Sequence, residues 1–269
     1  MAVLRSFGTQ LRLRRLTRHG DGRLLVVPLD HSVSDGPLMR ADRLGPLVAG
    51  LADSGVDAVV LHGGSVRAVD PAAFGTTALI VHLSASTRHA ADPDAKFLVA
   101  SVSAAVRRGA DAVSVHVNIG SREEARQLAD LATVAEEADR WGVPVLAMMY
   151  PRGPRIDDPH APELVAHAAT LAADLGADLV KVPFAGSAGA MAEVVADCPI
   201  PVVVAGGGVR DGWPELAGYV EAVMRSGAAG LAMGRNIFQA PDPSGQARRV
   251  VALVHPGRVA VRDEILAPV

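Results

Sequence analysis

Short apolar runs recur along the chain, separated by polar stretches of helix-like composition. The runs cover 24–29, 58–61, 78–83, 112–117, 144–149, 179–182, 201–205 and 230–233. They are rich in Val, Leu and Ala and do not strictly alternate, which is the pattern of parallel strands covered on both faces. Between them, 42–53, 95–108, 121–140, 161–175, 188–196 and 215–225 predict helices. Helices stop on one recurring phrase: Ser54-Gly55-Val56-Asp57, Arg108-Gly109-Ala110-Asp111, Leu175-Gly176-Ala177-Asp178 and, without the acid, Ser226-Gly227-Ala228-Ala229. A glycine ends the helix in the left-handed conformation and the next strand begins two residues later. The phrase is the internal repeat of a βα unit.

Eight such units predict an α/β protein with a single closed (β/α)8 TIM barrel. The rival, an open doubly wound sheet, wants a Gly-x-Gly-x-x-Gly turn after an early strand. The first run instead ends Pro28-Leu29-Asp30-His31. The expected organisation is a short N-terminal helical extension over 1–22, arginines outward and leucines inward, and a barrel domain over 23–269. The Pro-rich polar segment 150–160 reads as a long loop after the fifth strand.

Composition narrows the function class. Half of the residues are apolar, net charge is −3, and no long run of like charge occurs, so no nucleic-acid surface is expected. Aromatic residues make up 3%, too few for base-stacking platforms. Cys198 is the only cysteine, which excludes an intrachain disulfide and a cysteine-based zinc cluster and fits a cytoplasmic protein. No apolar run reaches the length of a membrane span, and no secretory signal pattern opens the chain.

One residue breaks the sixth run. Lys181 stands inside Leu179-Val180-Lys181-Val182-Pro183, and the only other lysine is Lys96. Burial disfavours an unpaired ammonium, and a neutral amine is a nucleophile toward carbonyls. Arginine cannot take that role. The bland reading is a lysine that snorkels to water from a strand end.

Polar residues at the C-terminal ends of barrel strands share one mouth. Here they are Asp30 and His31 after strand one, His62 after two, His116 and Asn118 on four, Tyr150 and Arg152 after five, and Lys181 on six. Strands seven and eight run into Gly206-Gly207-Gly208 and Gly234-Arg235-Asn236. Glycines there let backbone N–H groups approach phosphate oxygens, and Arg235 adds a charged contact. These parts suit a Schiff-base aldolase: Lys181 as the amine, Tyr150 as proton shuttle, Asp30 as base, and no cofactor. The rival chemistry is a zinc site of His31, His62 and His116, which leaves Lys181 without a role.

The segments Val27-Pro28-Leu29-Asp30-His31-Ser32-Val33-Ser34, Met148-Met149-Tyr150-Pro151-Arg152-Gly153, Lys181-Val182-Pro183, Ala205-Gly206-Gly207 and Met233-Gly234-Arg235-Asn236 together resemble the archaeal-type class I aldolases over nearly the whole chain. The resemblance implies a Schiff base on Lys181, proton donation by Tyr150 and proton acceptance by Asp30. It implies that His31, Ser32, Val33, Ser34, Pro151, Arg152, Gly206, Gly207, Gly234 and Arg235 bind a phosphorylated ketone. Fructose-bisphosphate aldolases of this type are similar but carry Asp-His-Gly after strand one and a Trp two residues before the tyrosine. Ser32 and Met148 stand there. The Tyr-Pro-Arg-Gly turn resembles the heptulosonate-synthase branch, which joins L-aspartate semialdehyde to a phosphorylated ketone, either dihydroxyacetone phosphate or a deoxyketohexose phosphate. The Lys-poor, Arg-, Ala- and Gly-rich composition leans toward dihydroxyacetone phosphate and secondary metabolism. The family also implies a large homo-oligomer. Fructose-bisphosphate aldolase and a non-catalytic phosphate-binding barrel are the alternatives.

Overall fold

In the computed structural model, residues 5–37 and 39–258 are described. The strands are β1 Leu24–Pro28, β2 Ala58–His62, β3 Ala78–His82, β4 Ser84–Ala85, β5 Phe97–Leu98, β6 Ala112–Ile119, β7 Val145–Pro151, β8 Leu179–Val182, β9 Val202–Ala205 and β10 Gly230–Ala232. All but β4 and β5 close into a parallel barrel in the order β1-β10-β9-β8-β7-β6-β3-β2. Each barrel strand is one of the eight predicted runs. The helices are α1 Phe7–Leu16, α2 Ser32–Asp35, α3 Leu44–Asp53, α4 Val102–Val106, α5 Glu124–Trp141, α6 Pro162–Asp174, α7 Ala188–Asp197, α8 Gly212–Arg225, α9 Arg235–Phe238 and α10 Pro243–Val254.

Burial on both faces hides an alternation that the structure brings out. In β8, Val180 and Val182 join the cluster packed between strands and helices, while Leu179 joins the cluster inside the barrel. Period two therefore turns Lys181 inward, one step above Leu179. On β7, Val145, Ala147 and Met149 face the helices, and Leu146, Met148 and Tyr150 face inward. Ala58 and Val60 face inward below His62, and Ala78 and Ile80 below His82. The lower barrel is thus a packed apolar core, and its next layer is polar. Leu16, at the end of α1, is fully buried within the lower cluster, so this helix stoppers the N-terminal end of the barrel.

The repeated acid has a structural job. The carboxylates of Asp57, Asp111 and Asp178 accept the backbone N–H of Leu25, Leu79 and Val145 at 2.7, 3.1 and 3.0 Å. Each satisfies a strand N–H at the bottom edge of its neighbour that would otherwise be orphaned.

Two segments differ from the sequence reading. The stretch 95–108 is not one helix. Phe97 and Leu98 pair antiparallel with Ala85 and Ser84, and only Val102–Val106 is helical. Phe97, Leu98 and Val99 favour a pleated ribbon, and Ser101 starts the helix late by accepting from the Ala104 N–H at 3.2 Å. Beyond the eighth strand stands α10, absent from the sequence reading; it starts at Asp242-Pro243, and the Asp242 carboxylate accepts from the Gly245 N–H at 2.9 Å.

Candidate active site

An open cavity of about 750 Å³ occupies the C-terminal mouth of the barrel. Asp30, His31, Ser34, Tyr150, Pro151, Arg152, Lys181, Gly206, Gly207, Gly234 and Arg235 all line it. Ser32 and Val33 lie on the α2 turn beside it and are not in its wall. Five cations, Arg88, Lys96, Arg152, Lys181 and Arg235, face three carboxylates, Asp30, Asp35 and Asp94, so the cavity favours anionic ligands.

Lys181 is 7% exposed and pairs in register with Met148 on β7 and Val203 on β9. Its Nζ lies 5.7 Å from the centroid of the Tyr150 ring. Arg152 addresses the same ring with its Cζ at 5.5 Å, and His116 stacks on it at 5.0 Å between centroids. Tyr150, in the wall of the mouth, is thereby held by cation–π and stacking contacts.

Asp30 leaves β1 and enters the mouth with its side chain 15% exposed. Its Oδ2 lies 3.8 Å from His82 Nε2 and its Oδ1 lies 3.6 Å from His31 Nδ1. Burial alone raises a carboxyl, but the fields of His82, His31, Lys181 and His62 outweigh it and bring Asp30 down to about 2. Burial also drives His82 down to about 4 and holds His31, His62 and His116 below the usual imidazole range. At neutral pH these rings are therefore uncharged dipoles around an ionised aspartate.

The three histidines considered for zinc point to different tasks. His31 packs edge-on to Phe238 at 5.7 Å, His62 packs against His82 at 5.2 Å, and His116 Nε2 donates to Asn118 Oδ1 at 2.8 Å. Among the described residues, the only trio of metal-competent side chains within bonding reach of one another is His19, Asp57 and His255, at the other end of the barrel.

The glycine cradle is closely built. A Cβ on Gly206 would stand 2.9 Å from Met233 Cα, and one on Gly234 would stand 2.8 Å from the Pro28 carbonyl oxygen. Arg235 Nη2 donates to Gly207 O at 3.3 Å, and the buried Asn236 side chain donates to Gly208 O at 2.8 Å while accepting from Arg210 N at 2.9 Å. Two loops are thus stitched into one concave edge.

Sequence reasoning missed His82 and Lys96. His82 ends β3 just as His62 ends β2, so a histidine at that place in an apolar run is a usable signal. Lys96 was hidden by the helical reading of 95–108. The β4–β5 ribbon instead carries it into the mouth, where Nζ donates to Ser86 Oγ at 2.6 Å.

A buried amine, a phenol against it and an ionised carboxylate across the mouth can form an imine and move protons around it. The family profile described as DeoC/LacD family aldolase matches residues 24–240. A Streptomyces griseus protein named 2-amino-4,5-dihydroxy-6-oxo-7-(phosphonooxy)heptanoate synthase is 59% identical over 255 residues, covering 95% of this chain and 93% of its own. An Archaeoglobus fulgidus protein named 2-amino-3,7-dideoxy-D-threo-hept-6-ulosonate synthase 1 is 43% identical over 248 residues, covering 92% and 91%. A solved Schiff-base-forming fructose-1,6-bisphosphate aldolase superposes with a TM-score of 0.83 at 29% identity, covering 92% of this chain and 100% of that one.

Proposed function

The chain belongs to the DeoC/LacD aldolase family and is a class I aldolase; from that premise we propose that it joins dihydroxyacetone phosphate to L-aspartate semialdehyde. The name of the Streptomyces griseus relative supports this through a disconnection. Breaking its product beside the ketone, between the two hydroxyl-bearing carbons, leaves a phosphorylated three-carbon ketone and the aldehyde of aspartate. Met148 lies level with Lys181 where the resemblance gives fructose-bisphosphate aldolases a Trp, which also favours the heptulosonate branch. The observation that carries the reading is Lys181, turned into the barrel beneath the Tyr150 ring.

In this mechanism Lys181 attacks the ketone carbonyl and water leaves with a proton supplied by Tyr150. Asp30 then takes a proton from the hydroxymethyl carbon next to the iminium, giving an enamine. The proton on Asp30 returns through solvent to the Tyr150 phenolate; the enamine carbon then bonds to the aldehyde carbon, Tyr150 protonates the new alkoxide, and the proton released on hydrolysis restores the phenol. Water returns to hydrolyse the imine, releasing the ketone product and the free amine. The phosphate sits against Gly206, Gly207, Gly234 and Arg235 throughout. His31, Ser34, Pro151 and Arg152 complete the wall, and Ser32 and Val33 support it from α2.

Borohydride with dihydroxyacetone phosphate is expected to fix a reduced adduct on Lys181, and Lys181→Met to abolish turnover with the fold retained. A wild-type protein that gives no adduct refutes the imine. Mass analysis of products from dihydroxyacetone phosphate with L-aspartate semialdehyde or with glyceraldehyde 3-phosphate separates the C7 acid from fructose bisphosphate. The same reading makes the protein a cytoplasmic homo-oligomer, to be checked by light scattering. No helix among the described residues is long and apolar enough to cross a membrane.

A further inference from the structure

We propose that Lys96, with Arg152, forms a second anion subsite in the mouth that reads the carboxylate of the aldehyde acceptor. This rests on the aldolase reading above and adds the residue that selects the second substrate.

Lys96 is one of two lysines in the chain, and both line the same cavity. Its support is elaborate for a half-buried residue just before a strand. The Lys96 amine donates to Ser86 Oγ, whose hydroxyl donates on to the Pro93 carbonyl at 2.6 Å. The adjoining turn is anchored from beneath. The Asp94 carbonyl accepts from Asn118 Nδ2 at 2.8 Å and from Gln127 Nε2 at 3.1 Å. Asn118 and Gln127 are buried, and Gln127 Oε1 in turn accepts from the Asn118 N–H at 2.9 Å. Buried, fully used amides of this kind fix a backbone to one position. Here the position fixed is that of an ammonium on the rim of an active site.

Charge gives the second line of argument. Among the described residues, neither Lys96 nor Arg152 has a carboxylate oxygen within ion-pair distance; their contacts are the Ser86 hydroxyl and the Tyr150 ring. Partial burial lowers the Lys96 amine below its ordinary value and the Arg152 guanidinium lowers it further, against the weaker opposing pull of Asp94, Asp30 and Asp35. The two cations repel one another, and an anion bound between them removes that repulsion. The pair flanks the ribbon and the end of β7, whereas the Gly206–Arg235 cradle follows β9 and β10. Lys181 therefore has a cationic group on each side. A ketone phosphate in the cradle leaves the other pole for the anionic end of the acceptor. In L-aspartate semialdehyde that end is the α-carboxylate, at the opposite end of a short chain from the reacting aldehyde.

The test compares acceptors with dihydroxyacetone phosphate as the fixed donor. L-aspartate semialdehyde and succinate semialdehyde carry the carboxylate, propanal lacks it, and glyceraldehyde 3-phosphate carries a phosphate instead. Lys96→Met is expected to raise KM for both carboxylated aldehydes about ten- to hundredfold, the effect of losing a charged hydrogen bond. The KM for propanal should stay within about twofold, and kcat should change less than KM. Lys96→Arg keeps the charge and should recover most of the loss. Equal losses for all acceptors would make Lys96 part of the scaffold, and no loss would remove it from the site. A larger loss for glyceraldehyde 3-phosphate than for the carboxylates would make this a phosphate subsite. Each of these outcomes overturns the inference. Borohydride trapping on wild-type protein keeps the two readings apart. Absence of the Lys181 adduct fails the aldolase reading itself, whereas a normal adduct with no wild-type preference for carboxylated aldehydes fails the Lys96 inference alone.

Discussion

His82 Nε2 lies 3.8 Å from Asp30 Oδ2, too long for a direct hydrogen bond and close enough to orient it. The other ring nitrogen, Nδ1, is 2.8 Å from Ser114 Oγ. That contact fixes the ring plane and aims Nε2 at the carboxylate, as outer partners of functional groups commonly do. His82→Phe is therefore expected to slow exchange of the ketone α-proton with solvent deuterium about tenfold while borohydride trapping on Lys181 persists. Loss of trapping and exchange together would place His82 in support of the whole mouth.

Asp30→Asn separates two roles for the aspartate. As the base, it is expected to trap ketone normally and to exchange the α-proton slowly when no aldehyde is present. Poor trapping would assign Asp30 to imine formation, and normal rates in both assays would remove it from the mechanism.

Tyr150→Phe keeps the ring that Lys181, Arg152 and His116 pack against and removes only the hydroxyl. Ketone binding should persist and turnover should fall about 10²–10⁴-fold, the range for a general acid–base group. Measuring kcat together with adduct yield checks this, and a fall in adduct affinity of the same size would point to binding rather than proton transfer.

Arg235→Ala should weaken dihydroxyacetone phosphate by about ten- to hundredfold, from the loss of a charged hydrogen bond, and leave unphosphorylated dihydroxyacetone nearly unaffected. Competition titrations of both ligands decide it. Equal losses would mean that Arg235 holds the loops, through its bond to the Gly207 carbonyl, rather than reading phosphate.

What could be read from the chain followed from local rules, and what could not depended on distant partners. Eight apolar runs gave the barrel, because parallel strands buried on both faces have a composition that helices of this chain lack. That Lys181, Tyr150 and Asp30 share one mouth was legible because each is polar within or just after an apolar run. The inward turn of Lys181 required the register of β8, since Val180 and Val182 differ from Leu179 only in what they pack against. Lys96 was illegible for the opposite reason. Ala95, Ala100, Ala104 and Ala105 give the stretch a helical look, and the ribbon forms because Phe97 and Leu98 find Ala85 and Ser84 across the intervening segment. The repeated aspartates were visible as a motif, but their bonds to strand N–H groups were not, because each acceptor serves a residue about thirty positions earlier.

The far end of the barrel supplies a pH-dependent lock. His255 follows α10 with a fully buried side chain, its Nδ1 2.7 Å from Asp21 Oδ2 and its Nε2 3.0 Å from Asp57 Oδ2. A neutral imidazole donates from one nitrogen only, so two carboxylates at once call for the imidazolium. Burial works against that charge, but the hydrogen bonds to Asp57 and Asp21 outweigh it, and the His255 pKa is raised. His19 and Arg18 also face Asp57, at 3.2 and 3.9 Å, and His19 packs edge-on to His255. A pKa raised on folding means that the native state holds a proton the unfolded chain releases. The stabilisation is complete below the unfolded value of about 6.5 and is lost as pH rises through the folded value. The buried histidines of the mouth have lowered pKa values and act in the reverse sense, losing their contribution as pH falls below about 6.5. His255→Gln isolates the lock, because the mouth is untouched. Urea unfolding of wild type and variant should differ by about 3 kcal/mol at pH 6, the size of a broken buried pair, and the gap should narrow toward pH 9. A gap of equal size at both pH values would show that His255 holds the barrel floor as a neutral ring.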